Sequence, residues 1–191
     1  MRVPSASDIR TYRTPGSARG PSGDRRSYLN EGAKKGTSRP FDASSAKRSS
    51  MIYTLTVDCV GGLYLRAECV RVIEIKDDAT LEDLHFAIQS AVSFDNDHLY
   101  DFHAGRNYRH RKVRYAPAED WDEYEGAFSR IQLRDVYPLG SLKLYYIFDF
   151  GDSWTFEIRK SRRVHAPEPR VRYPRVIERR GPNPEQYPSW E

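Results

Sequence analysis

The sequence predicts an α+β domain over residues 51–191: a mostly antiparallel sheet with one main helix and short helices packed on it, preceded by a disordered basic tail. Three observations predict this. Short runs rich in β-branched and aromatic residues recur from residue 52 onward, separated by turn residues. A single segment, about 80–93, spaces its apolar residues at the helical period. Residues 1–50 show neither pattern: Val3, Ile9, Tyr12, Tyr28, Leu29 and Phe41 are scattered among Ser, Gly, Pro and Arg. Such a segment buries too little surface to offset the entropy of ordering it.

Charge changes at the same boundary. The net +4 of the 191-residue chain averages two unlike parts, with 11 Lys/Arg and 4 Asp/Glu in residues 1–50 and 20 and 23 in residues 51–191. The basic balance belongs to the tail. A mildly acidic body argues against a whole surface built for nucleic acid. For the tail three readings stay open: a basic arm for phosphates, an Arg- and Ser-rich transit peptide, or an extension upstream of a true start at Met51. With no long apolar run and no hydrophobic leader-like segment, no membrane partner is expected and the cytoplasm is the expected compartment.

The elements follow in order. Residues 52–57 read as a strand, Gly61-Gly62 as a turn, and 70–75 as a second strand with a bulge or two-sided burial. Cys59 and Cys69 flank that hairpin, where a cross-strand bridge is geometrically conceivable and two buried thiols in a reducing compartment are the preferred expectation; their spacing matches no zinc site. Thr80 or Asp78 caps the helix, and Glu82 and Asp83 lie in its first turn, where the macrodipole favours negative charge. Leu81, Leu84, Ile88 and Val92 share one face with Ala87 and Ala91, which makes that face core.

Residues 99–103 and 112–115 read as short strands. Between and within them Arg106, Arg109, His110, Arg111, Lys112 and Arg114 crowd around Tyr108, and the acidic Glu119, Asp120, Asp122, Glu123 and Glu125 follow. The simplest expectation is that the two blocks neutralise each other or are both solvated, and the alternative is a functional basic patch. Residues 134–136 read as a helical turn. A hairpin of 142–150 and 154–159 pivots on Gly151-Asp152, and 160–191, with five prolines before residue 185, reads as an irregular wrap.

The densest chemistry lies in the run from Tyr145 to Trp154. Asp149-Phe150-Gly151 spells the metal-binding tripeptide of protein kinases, but the chain has no Gly-rich phosphate loop and no His-Arg-Asp loop. Asp149 and Asp152 could hold a divalent ion with His98 or His103 as nitrogen ligands, the carboxylate chemistry of a hydrolase or nuclease. The simpler reading has both carboxylates accepting backbone N–H bonds that shape the turn, with Trp154 and Phe148 in the core. Trp154, Tyr145, Tyr146 and Phe150 as a base-stacking platform is the lesser alternative, since alternation puts only half of them on one face. No nucleophile elbow, HExxH or P-loop occurs.

Four ordered segments carry a resemblance over most of 51–191. They are Arg71-Val72-Ile73-Glu74-Ile75 with Thr80-Leu81-Glu82-Asp83-Leu84-His85; Ile88-Gln89-Ser90-Ala91-Val92 leading to His98-Leu99 and Phe102; Phe148-Asp149-Phe150-Gly151-Asp152-Ser153-Trp154 with Glu157-Ile158; and Tyr173-Pro174-Arg175-Val176 with Gly181 and Pro184-Glu185. In this order they resemble the Ri-plasmid third-open-reading-frame family, whose members carry the labels insertion-element passenger and TnpR-like. The chain departs from the family pattern at Val70, where a Trp is common, at Ser93-Phe94 in place of Gly-Trp, and at Phe156 in place of a His. The resemblance implies an α+β fold and no known reaction. The resolvase label finds no support, because a serine resolvase needs a nucleophilic Ser among clustered arginines and a separate DNA-binding helix pair.

The expected function is therefore that of a non-catalytic binding or accessory protein linked to mobile elements, with nucleic acid or protein as partner and with no cofactor, metal or catalytic residue. The expected contact surface joins His98, Asp149, Asp152 and Trp154 with the basic residues of 159–180, Arg162 and Arg163 among them. The rival is a metal-dependent hydrolase or nuclease using His98, Asp149 and Asp152.

Overall fold

Alternating side chains build this molecule strand by strand. A computed structural model describes residues 49–115 and 126–188; the expected tail, but for its last two residues, and the acidic block of 119–125 lie outside the described residues. Strands β1 (Ile52–Gly61) and β2 (Val70–Lys76) form the first hairpin, and helix α1 (Leu81–Val92) follows. Next come β3 (Tyr100–Gly105), β4 (Val113–Arg114), a 3-10 turn at Phe128–Arg130 and a one-turn helix α2 (Leu133–Val136). The chain finishes with β5 (Lys143–Phe148), β6 (Trp154–His165) and β7 (Arg175–Arg180). One seven-stranded sheet results, in the order β4-β3-β5-β6-β1-β2-β7. Every neighbouring pair is antiparallel. The sheet dominates, and α1 is the one long helix among the described residues. None of them forms a helix long and apolar enough to cross a membrane.

Helix α1 begins where the sequence provides a cap. The Thr80 hydroxyl accepts from the Asp83 amide at 3.1 Å, and the Asp83 carboxylate accepts from the Thr80 amide at 2.8 Å. This capping box contributes about 1 kcal/mol. Ser93 ends the helix in the left-handed region, φ 61°. The apolar face of α1 packs Leu81, Leu84, Ile88 and Val92 into one core with Leu55, Ile73, Phe102, Tyr146, Phe148, Trp154 and Phe156. Phe156 is one of those buried core residues.

A second cap comes from the sheet. Arg71 on β2 is 1 % exposed. Its Nε donates to the Ala91 carbonyl at the C-terminal end of α1 (3.1 Å), and its Nη1 donates to the Arg180 carbonyl at the end of β7 (2.9 Å). The guanidinium is stabilised by main-chain carbonyls, one at the end of a helix and one at the end of a strand, in place of a carboxylate.

Beneath α1 the core also holds a polar chain. The His85 ring stacks on Tyr100, with centroids 3.7 Å apart. Its Nε2 faces Asn96 Oδ1 and its Nδ1 faces the Tyr146 hydroxyl, both at 2.7 Å, while Gln89 Nε2 donates to the same hydroxyl at 2.7 Å. Donors and acceptors match when Nε2 carries the proton and Nδ1 accepts from Tyr146.

The expectation of an irregular wrap over 160–191 is corrected. Residues 160–165 continue β6, and Arg175–Arg180 is an edge strand paired with β2. Edge strands are held by main-chain ladder bonds and tolerate charge, so β7 lacks the apolar alternation that marks a buried strand. The two cysteines are free and buried, on the core side of the first hairpin, where the Cys59 amide donates to the Cys69 carbonyl at 2.9 Å.

Candidate functional site

Asp149 sits at the β5–β6 turn with φ 52°. Its Oδ1 accepts from the amides of Gly151 (2.9 Å) and Asp152 (3.3 Å), and its carbonyl accepts from the Ser153 amide at 2.6 Å. A short carboxylate that tolerates the left-handed region and satisfies its own turn is what this hairpin tip requires. Asp149 Oδ2 remains, 3.6 Å from His98 Nε2, which is also 3.8 Å from Asp97 Oδ1. The Tyr187 hydroxyl donates to Asp97 at 2.6 Å. That bond holds the Asp97 carboxyl below its ordinary value, and desolvation together with the same bond pushes Tyr187 up to about 12. Desolvation, then the Asp149 charge, raises Asp152, with His98 working against it. The Asp152 carbonyl accepts from the Leu63 amide at 2.8 Å. Among the described residues no group of three or more His, Cys, Asp and Glu side chains is placed to hold a metal ion.

Other residues of the expected surface lie elsewhere. Trp154 is fully buried beneath that turn, edge-on to Phe94 at 4.9 Å. A Cβ at Gly62 would stand 2.3 Å from its ring, so the first hairpin closes directly over the indole. The expectation that Trp154 belongs to a contact surface is corrected by this packing: its ring makes core, and no face of it meets solvent. Arg162 and Arg163 lie eight and nine residues along β6, roughly 25 Å from Trp154. His103 is on another strand with its side chain on the sheet face away from α1. Of the six residues expected to form one surface, the fold brings together His98, Asp149 and Asp152 only.

The far end of the sheet concentrates positive charge. Gly105 pairs with Lys143, and Leu144 pairs with Ile158, which puts the β3–β4 loop, the start of β5 and the second half of β6 at one end. There β6 carries a bulge: Leu55 faces Lys160 and Tyr53 faces Val164, so residues 161–163 oppose the single Thr54. Bulges re-aim side chains, and this one turns out Arg162 and Arg163, both exposed. Lys160 anchors its start, with Nζ 4.5 Å from the Tyr53 ring centroid and 5.8 Å from that of Tyr137. Beyond β5 on the other side, where β3 runs into the loop to β4, residues 106–114 are all exposed. Arg106, Arg109, Lys112, Arg162 and Arg163 have no carboxylate partner among the described residues. Arg111 and Arg114 instead face Asp101 Oδ2, at 3.4 and 4.0 Å.

Under that loop runs a cross-strand row on the face away from α1. Arg114, His103, Tyr145, Glu157, Asp58, Val70 and Arg180 are successive partners from β4 to β7. Tyr145 donates to Glu157 at 3.0 Å, and Lys143 pairs with the same carboxylate at 2.9 Å. Asp101 and His103, two apart on β3, are 2 % and 0 % exposed. Burial raises the Asp101 carboxyl against the pull of Arg111 and Arg114; burial, then Arg111, lowers His103 to about 4. The sequence signal for this pair is alternation: Asp101 and His103 fall opposite Tyr100, Phe102 and Ala104, which face the core.

Residues 53–187 match the plasmid pRiA4b ORF-3-like proteins as a family. The chain belongs to that family. A relative of this pRiA4b ORF-3-like chain, the uncharacterized protein y4hQ of Sinorhizobium fredii (strain NBRC 101917 / NGR234), is 33 % identical over 88 residues, covering 45 % of the chain and 42 % of the relative. The aligned part thus spans about two fifths of that relative's length. The crystal structure of a protein of unknown function, MM3350 from Methanosarcina mazei Go1, matches with a TM-score of 0.56 at 22 % identity, over 71 % of this chain and 72 % of that one. That likeness is one of fold.

Proposed function

We propose that this pRiA4b ORF-3-like protein is a non-catalytic binding protein whose partner is a nucleic acid, held at the basic end of the sheet. One observation carries the reading: the bulged Arg162 and Arg163 and the exposed 106–114 loop share one end of the sheet, and five of their cations lack carboxylate partners among the described residues. Cations already engaged by carboxylates gain little from phosphate, whereas solvated ones release counterions on binding. The acidic remainder of the body is consistent with a local patch, since focusing depends on where charge lies and not on the sum.

Fluorescence anisotropy with short DNA and RNA at two salt concentrations tests it. Whole protein and a 49–188 fragment should both bind, more weakly at high salt, with the log-log salt slope falling by roughly one for each cation removed in Arg162→Ala/Arg163→Ala and Arg106→Ala/Lys112→Ala. Binding confined to the whole chain, or indifferent to these substitutions, would overturn the proposal. The rival, a metal-dependent hydrolase or nuclease, draws on the 3.6 Å contact of His98 with Asp149. Hydrolysis that needs a divalent ion and is lost in Asp149→Asn with the fold intact would establish it instead.

A further inference from the structure

The basic loop is a fixed shape. The His103 Nε2–H donates to the Tyr108 carbonyl at 3.0 Å, from a ring with no exposure. Asn107 Oδ1 accepts from the amides of Arg109 and His110, both at 3.1 Å, and the Lys112 amide donates to the Ala104 carbonyl at 2.9 Å. The loop lies so close on β3 that a Cβ at Gly105 would stand 1.8 Å from the His110 carbonyl oxygen. Asp101, buried at the base, holds Arg111 and Arg114 from beneath. Out of this clamp stands Tyr108, 41 % exposed, with the Arg109 guanidinium 5.2 Å from its ring centroid.

We infer that the ligand of this end is single-stranded nucleic acid, one base of which stacks on Tyr108 while Arg106, Arg109 and Lys112 meet the adjoining phosphates. The inference rests on the proposed nucleic-acid reading and narrows it. In a duplex the base faces are stacked on one another and closed to a side chain outside, whereas a single strand offers every base a free face. A platform needs an aromatic ring held before the ligand arrives, so that little side-chain freedom is lost on binding. Here His103, Asn107 and Gly105 fix the main chain on both sides of Tyr108. Arg109, whose guanidinium lies 5.2 Å from the ring centroid, places a phosphate next to a stacked base within reach of both interactions.

The test compares a short single strand with the duplex of the same sequence, using whole protein, Tyr108→Ala and Tyr108→Phe at two salt concentrations. Expected is a preference for the single strand. Tyr108→Ala should weaken single-strand binding roughly 5- to 150-fold and leave duplex binding within about twofold, with an unchanged salt slope; Tyr108→Phe should bind as the parent does. Equal affinity for both forms, untouched by Tyr108→Ala, would overturn stacking and leave the polyanion reading standing. Parallel losses on both forms with a lowered melting temperature would make Tyr108 structural and overturn the inference. No salt-dependent binding to either form would overturn the polyanion reading itself.

Discussion

His85 and His103 are buried imidazoles kept neutral by their surroundings. Burial lowers each to about 4. An unfolded chain takes up protons near 6.5, so the unfolded state binds more protons between about pH 6.5 and 4. Stability is therefore complete above that window, falls as pH drops through it, and levels off beneath it. Each ring removes on the order of 2 kcal/mol at pH 5. Asp58 and Asp101, raised by burial, act in the opposite sense as pH falls further. Urea denaturation should show a lower midpoint at pH 5 than at pH 7.5, and His85→Gln should flatten that difference by about half, since His103 remains. An unaltered difference would mean that the fold leaves the proton affinity of His85 where the unfolded chain has it. The neutral states were not legible in the sequence. A lone His reads equally as surface or core until its strand or helix face is known, whereas Asp149 as a turn former was legible, because the bonds it makes are to its own neighbours.

At the scale of elements, Arg71 ties three together. Its guanidinium links β2, the end of α1 and the end of β7, with Nη2 donating to Asn183 at 2.5 Å. Arg71→Leu removes the guanidinium and its charge-assisted bonds, each worth about 1.5–3 kcal/mol. The variant is expected to lose at least about 3 kcal/mol by denaturant titration and to lose protection in residues 175–181 first in hydrogen exchange, because β7 has a single neighbour. A loss of under about 1 kcal/mol would mean that water replaces the guanidinium at those carbonyls. Helix α1 was fully legible, its apolar spacing and its Thr80 cap both being local. Strand β7 was not: its pairing comes from β2, about a hundred residues upstream.

Across the whole molecule the long-range ladder organises charge. Loop 106–112 and the bulge at 161–163 come to one end because β5 lies between β3 and β6. The acidic turn of Asp149, Asp152 and Asp97 with His98 lies at the other end. If the sheet and α1 are one cooperative unit, a fragment of residues 49–188 should unfold in a single transition, with a melting temperature within about 2 °C of the whole chain. A broad or two-step transition would break that unity.

Taken alone, the sequence determined what is local: the strand runs, the capped helix and its buried face, the turn at Asp149, the family membership and the change of character at Met51. These depend on periods of two and 3.6 residues and on side chains bonding their own neighbours. Tertiary structure decided the rest. It buried Trp154 under Gly62, separated Arg162 and Arg163 from His98 and Asp149, paired an arginine-rich segment as an edge strand, and set a half-exposed Tyr108 beside Arg109 on a hydrogen-bonded loop. Each of those outcomes depends on which strands become neighbours and in what register, and register is a property of the assembled sheet, not of any one strand.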